Sequence, residues 1–262
     1  MGQPSPTLEA KAISKSFGAV RALHNVDFWV NPAEVIGLIG DNGAGKSTLI
    51  NILTGVFPPD EGQIIFEGRE VHFHGPQDAR NLGIETVYQD LAIAPHLDSV
   101  ANMYLGREER LGGFLGKMGF LDNKGMQTNS ADYLKQLRVR IPDPTRPMTT
   151  LSGGQRQGVA VARSVMWASK VVIMDEPIAA LGVAQASMVL DLMSRVRNSG
   201  VPVVFISHNM PHVFEICDRI VVLRLGEVVA HLDPKTHVID DAVSLMTGSM
   251  DSMVSDQEVT LK

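Results

Sequence analysis

The sequence predicts an α/β fold whose chemistry sits at the ends of buried strands, with an antiparallel β region before the core and a helical insertion within it. Three runs predict it. VIGLIGDNGAGKST (residues 35–48) is an apolar strand that enters a glycine-rich loop and then a helix. VVIMDEP (171–177) is a second apolar strand, tipped by Asp175 and Glu176, and VPVVFIS (201–207) is a third, followed at once by His208. Short apolar runs bounded by turn residues and separated by helical patterns are the signature of strands buried on both faces.

The first run carries the most specific signal, GxxxxGK[ST] in full. Gly40, Gly43 and Gly45 let successive backbone N–H groups turn inward toward phosphate oxygens with no Cβ in the way. Asn42 and Ala44 complete the loop between them. Lys46 is placed to reach the β- and γ-phosphates, Ser47 to offer its hydroxyl to Mg²⁺, and Thr48 to continue the helix whose positive end faces the anion. The helical spacing of LINILTG after the loop supplies the context the motif requires.

With 262 residues, 44% hydrophobic and 20% charged, the chain can bury a full core as one large domain or one domain with an insertion. Its net charge of −6 argues against nucleic acid as a partner and against a polybasic grip on anionic lipid. Cys217 is the only cysteine, so nothing points to an oxidising compartment. No apolar run is long enough to span a bilayer, the first residues lack a signal-peptide core, and Pro6 stands where a myristoylation motif needs Ser or Thr. The expectation is a cytoplasmic chain that reaches the membrane through a partner.

In chain order, residues 8–13 and 26–30 alternate as strands, joined by SKSFGAVRALHN; Phe17 lies in that connection, poorly hidden unless something packs on it. PPDEG is a turn, and QIIFEG and VHF continue the β region. His72 and His74 share a strand face, but nothing nearby completes a metal-ligand set. IETVYQD is a strand ending at Gln89. Residues 91–150 then read as a helical subdomain, with LDSVANMYLGREER and ADYLKQLRVR as helices, a glycine-rich loop over 107–120, and the closing proline cluster PDPTRP.

LSGGQRQGVAVARSVMWA begins a helix with Val159, Ala162, Val165 and Met166 at helical spacing, and its Ser-Gly-Gly start offers backbone N–H groups to an anion. Twenty residues on, Asp175 would hold Mg²⁺ and Glu176 would polarise an attacking water. A helix over 184–198 leads to the third buried strand, where His208 faces the crevice at the strand ends. RIVVLRLGEVVAHL is a hairpin around Gly226, and DAVSLMTG is a short helix before a polar end. There is one phosphate loop and no internal repeat.

With these motifs in this order, the sequence resembles the ABC transporter ATPases over nearly its whole length. The resemblance implies a phosphate-loop NTPase core at 1–90 and 151–262, with the helical block at 91–150 contacting a permease, all in one ABC ATPase domain. It implies ATP and Mg²⁺ as cofactors. It assigns residues 40–48 as the phosphate loop, Gln89 to both the catalytic and the Mg²⁺ sets, and Asp175 and Glu176 as the Mg²⁺ and catalytic pair. His208 becomes the switch residue and Phe17 the aromatic that stacks on adenine. Ser152, Gly153, Gly154 and Gln155 form the signature that completes the ATP site of a second copy.

More narrowly, GIETVYQDLAIAPHLDSVANMYLGRE, LSGGQRQGVAVAR and AALGVAQ resemble ATPases of binding-protein-dependent importers of simple sugars, of the fructose and ribose kind. That likeness implies a homodimer on an integral membrane permease at the inner face of the membrane, served by an extracytoplasmic sugar-binding protein. Two positions depart from the wider pattern: Gly182 stands where most such ATPases have Asp, and Ile178 where Thr is usual. The competing classes are a non-transport ABC ATPase acting as a mechanical switch, which usually carries two fused domains or a long coiled coil, and a phosphate-loop GTPase. The latter needs an NKxD guanine reader, and Asn123-Lys124 is followed by Gly125 and Met126.

Overall fold

The computed structural model describes residues 5–87, 93–179 and 181–250. Strands β1 (Leu8–Phe17) and β2 (Val20–Val30) pair antiparallel and run well past their expected ends, so the 14–25 connection shrinks to a turn at Gly18 and Ala19. The cause lies in two bulges. Ala12 and Asn25 have positive φ of 51° and 48°, and the register shifts beside each. Alternation therefore stops while pairing continues.

Strand β3 (Val35–Ile39) is buried throughout and, with the strands described below, forms the second sheet. It feeds helix α1 (Lys46–Leu53) through the glycine loop. The first sheet is completed by β4 (Glu61–Phe66) and β5 (Arg69–Val71), in the order β2-β1-β4-β5. His72 and His74 fall beyond β5 and are exposed rather than aligned on a strand face. Among the described residues no three His, Cys, Asp or Glu gather as a metal site.

The short helix α2 (Pro76–Asn81) precedes β6 (Ile84–Val87), the edge strand beside which the helical block begins. There, the expected long helix is only α3 (Ser99–Met103). Asp98 caps its start by accepting from the Ala101 amide at 2.7 Å, and Gly106, with φ of 76°, turns the chain away soon after its end. The glycine-rich stretch is an ordered loop around α4 (Gly113–Lys117), closed by the Leu111 N–H donating to Phe120 O at 2.9 Å and a bridge between Arg110 and Leu121. Its tip leaves Phe114, Leu115, Met118 and Phe120 exposed. Helix α5 (Asn123–Gln136) starts earlier than its apolar pattern suggests, because Asp122 caps it on the Gly125 amide.

The remaining elements are α6 (Gly153–Trp167), β7 (Val171–Asp175), α7 (Val183–Asn198), β8 (Val203–Ile206), α8 (Met210–Ile216), β9 (Arg219–Arg224), β10 (Glu227–Leu232) and α9 (Ile239–Thr247). The second sheet runs β10-β9-β3-β8-β7-β6, parallel except for the β9–β10 hairpin. That hairpin turns through Leu225 and Gly226, both at positive φ, which suits the twist of a two-residue turn.

The period-2 geometry of β3 divides the interior. Ile36 and Leu38 point into a core with α1 and the antiparallel sheet, whereas Val35 and Ile39 point into one with α7 and α8. Met103, Tyr104, Met126 and Leu134 of the helical block join the second core rather than forming their own. Trp167 ties the block to α6: its Nε1 donates to Met103 O at 2.9 Å, Tyr104 meets it edge-on, and the Arg107 guanidinium lies 4.9 Å above it while pairing with Glu85. Among the described residues, no helix is long and apolar enough to cross a membrane.

Candidate nucleotide site

Parallel register brings the chemistry to one edge. Leu38 of β3 and Asp175 of β7 both pair with Ile206 of β8, so the three strands end level and their following segments converge. This is the crevice outside the carboxyl ends of the strands, where open α/β sheets bind ligands.

The loop after β3 fits only glycine at two points. Gly40 has φ of 156°, and a Cβ there would fall 2.2 Å from the Leu223 carbonyl oxygen. Gly45 has φ of 107°, and its Cβ would meet Ala22 O at 2.7 Å. Between them Ala44 is buried, donating to Asp41 O and accepting from the Gly226 amide, which leaves Asn42 and Gly43 as the exposed tip. Ser47 and Thr48 lie in the first turn of α1, with Ser47 exposed.

Lys46 Nζ donates to Gly40 O at 2.6 Å and Asp41 O at 3.0 Å, so two loop carbonyls hold the ammonium against the loop. Burial pushes its pKa below the ordinary lysine value, against the pull of Glu176, Asp175 and Asp41. Burial likewise pushes the Asp175 carboxyl above the usual range, Glu176 beside it adds to the rise, and Lys46 opposes it.

The sign of that shift makes a prediction. A carboxyl whose pKa is raised on folding binds its proton more tightly in the folded chain, so stability falls as pH rises through the carboxylate range. Asp175→Asn should therefore raise the melting temperature of the nucleotide-free chain at neutral pH by about 2 °C, and the gain should shrink toward pH ~5. Thermal unfolding at the two pH values checks it; an unchanged or lower neutral-pH melting temperature would show that the ionised carboxylate costs the fold nothing.

Glu176 is held in an uncommon backbone state, φ of 49°, by its N–H donating to Ile206 O at 3.0 Å. Its side chain is thereby turned onto the end of β8. Oε1 accepts from the His208 amide at 3.1 Å and lies 2.8 Å from His208 Nδ1, and Oε2 accepts from Ser207 Oγ at 3.4 Å. The His208 ring is otherwise exposed.

Phe17 ends β1, half exposed, with Phe57 edge-on against it at 5.3 Å. Lys15 Nζ, held by Asp60 at 2.7 Å, lies within 6 Å of both rings. Gln89 lies outside the described residues; β6 ends just before it, with Val87 paired to Met174.

Ser152, Gly153, Gly154 and Gln155 are placed elsewhere, at the start of α6. The expected open anion site is partly self-satisfied: Ser152 Oγ accepts from the Gln155 amide, Gln155 Oε1 accepts from the Ser152 amide at 3.0 Å, and Gln155 Nε2 donates to Arg140 O. The Gly153 and Gly154 amides donate to nothing among the described residues. No hydrogen bond among the described residues joins this turn to Lys46, Asp175, Glu176 or His208. The structure thus gathers the phosphate loop, the acidic pair and His208 at one edge and leaves the signature turn apart.

Sequence reasoning missed Ser207 and Phe57. Ser207 was signalled only by its position between a buried strand and His208, and Phe57 only as an aromatic inside a turn cluster. Ile178, which stands where the family resemblance leads one to expect Thr, is 6% exposed within the α7 and β7 core, where an apolar side chain packs without a hydroxyl to satisfy.

Comparison with known proteins agrees with this geometry. The ABC transporter family profile matches residues 23–179. A fructose import ATP-binding protein of Rhizobium meliloti is 49% identical, covering 93% of this chain and 95% of its own. A xylose/arabinose import ATP-binding protein of Sulfolobus acidocaldarius is 45% identical over 93% of this chain and 94% of its own. Among solved structures, the ATP-binding cassette MJ1267 of an ABC transporter superposes with a TM-score of 0.80 at 26% identity, covering 92% of this chain and 98% of that one. On the profile match, the two import relatives and this shared architecture, the chain belongs to the ABC transporter family, as one of its ATP-binding cassettes.

Proposed function

We propose that the chain is the ATP-hydrolysing subunit of a simple-sugar importer and works as a pair of copies that close head-to-tail over two ATP molecules. The observation that carries the pairing is the separation of two half-sites: the edge with Lys46 and Glu176, and a signature turn that exposes Ser152 and Gly153 and whose Gly153 and Gly154 amides have no partner among the described residues. A γ-phosphate bridging the halves gives ATP a higher affinity for the closed state than ADP has, which is the condition for closure to follow the nucleotide.

In this reading Lys46 and the loop amides, from Gly40 to Gly45, grip the β- and γ-phosphates, and Phe17 stacks on adenine with Phe57 and Lys15 behind it. Glu176 takes a proton from the water that attacks phosphorus, ADP leaves, and His208 holds the carboxylate in place. Ser47 and Asp175 fit Mg²⁺ by their chemistry, since both offer hard oxygen donors. The half-buried Asp175 carboxylate also accepts no hydrogen bond among the described residues. Bound there, the ion supplies neutralising charge to the phosphates. Gln89 would join this set.

The relatives' import of fructose and of xylose or arabinose supports the substrate class. The permease and an extracytoplasmic binding protein would choose the sugar, with this chain attached at the cytoplasmic face. Residues 1–262 form one ABC ATPase domain in which block 91–150 receives a permease segment.

The test is the solution mass of Glu176→Gln by light scattering, with and without ATP. A doubling with ATP is the expected result. A chain that binds ATP and stays monomeric would overturn the homodimer and turn the search to a different ATPase partner.

A further inference from the structure

We propose that Gln185 is a positioning residue that locks the signature turn to the segment following Glu176, so that the two move as one body; this rests on the dimer reading above. Gln185 lies exposed in the first turn of α7. Its stem occupies the space a side chain at residue 154 would need: a Cβ built on Gly154 would fall 2.4 Å from Gln185 Cγ and 2.9 Å from its Cβ. Its amide oxygen reaches back to residue 182, where a Cβ on Gly182 would fall 2.6 Å away.

Neither glycine is there for its backbone freedom. Gly182 has φ of −70°, open to any residue, and Gly154 lies in an α-helix. Both are small because Gln185 lies flush against them. The amide end at Gly182 could swing aside, whereas the stem at Gly154 cannot leave without rotating the whole side chain.

Backbone bonds hold the described residues between Glu176 and Gln185. Glu176 N–H donates to Ile206 O, Ala179 N–H to Glu176 O at 3.1 Å, Leu181 N–H to Ile178 O at 3.3 Å, and Ala186 N–H to Gly182 O at 2.9 Å. A displacement of Ser152 and Gly153 on meeting the partner copy's nucleotide would pass through Gly154 to Gln185 and, through these bonds, to the same copy's Glu176. Gly182 stands where the family resemblance leads one to expect an aspartate; here a side chain three residues later makes a link within one copy.

The test uses Gln185→Ala and Gln185→Met in the full chain carrying Glu176→Gln. Two readouts are needed: the ATP concentration at half-maximal dimer by light scattering, and fluorescent-nucleotide affinity at protein concentrations where the chain is monomeric. Gln185→Ala should raise the half-dimer ATP concentration about tenfold, the scale of one lost packing contact, with monomer affinity unchanged within about twofold. Gln185→Met, which keeps the stem, should restore most of the loss.

Dimerisation of Gln185→Ala at the parent's ATP concentration overturns the proposal, and so does a Met variant no better than Ala. A parallel fall in monomer affinity would assign the effect to damage in the fold and also overturn it. Failure of the Glu176→Gln parent itself to dimerise would strike the reading beneath instead.

Discussion

Glu176→Gln should lower ATP turnover by about a thousandfold while leaving ATP affinity within about twofold of the parent, the range expected when a general base is removed without disturbing binding. The substitution is sterically quiet. Gln retains an oxygen that can accept from the His208 amide and from Nδ1, and the backbone bond to Ile206 O that sets the positive φ does not involve the side chain. What it removes is the capacity to take a proton. Single-turnover hydrolysis alongside equilibrium nucleotide binding separates the two effects. Turnover at the parent's rate would take Glu176 out of the role of base, and a matching loss of affinity would make it a binding residue instead.

Lys46→Ala should cost about 2–3 kcal/mol of ATP binding, roughly 30- to 150-fold in affinity, because a charge-assisted bond to phosphate disappears from a partly desolvated site. The nucleotide-free chain should barely register the change. Its ammonium is already held below the ordinary lysine pKa by burial, and the two bonds it makes go to loop carbonyls, Gly40 O and Asp41 O, that water can reach once the side chain is gone. Titration calorimetry with ATP, paired with a thermal melt without it, checks both halves. An unchanged affinity would sink the phosphate-loop assignment; a collapsed melt would mean the lysine is a structural strut.

Features whose cause is local were legible from the residues. A strand buried on both faces must be apolar throughout, so β3, β7 and β8 announced themselves. The loop glycines were forced by backbone geometry, and the Leu225-Gly226 turn by the twist of its hairpin. Features whose cause is distant were not. The true lengths of β1 and β2 depend on cross-strand pairing that survives two bulges, and the short α3 is set by Asp98 before it and Gly106 after it rather than by its apolar spacing. Phe57 behind Phe17, and Gln185 against Gly154, meet their partners across 40 and 31 residues of chain, which no periodicity records. The meeting of Glu176 with His208 was inferable only as a shared strand-end address, since the bond itself depends on the unusual backbone angle at Glu176.

The lone cysteine has a practical meaning for any study of how the two halves move. Cys217 is buried beneath β3, close enough that a Cβ on Gly37 would touch its sulfur at 3.0 Å. Burial, with Asp218 and Glu34 nearby, pushes its thiol well above the ordinary range, so the nucleophilic thiolate is scarce and shielded. The natural chain is therefore already a blank background for conjugation. A thiol introduced at an exposed position away from both half-sites, such as Gln127→Cys on α5, would be the one group to take up a fluorophore or spin label, and distances between copies could be followed with both half-sites intact.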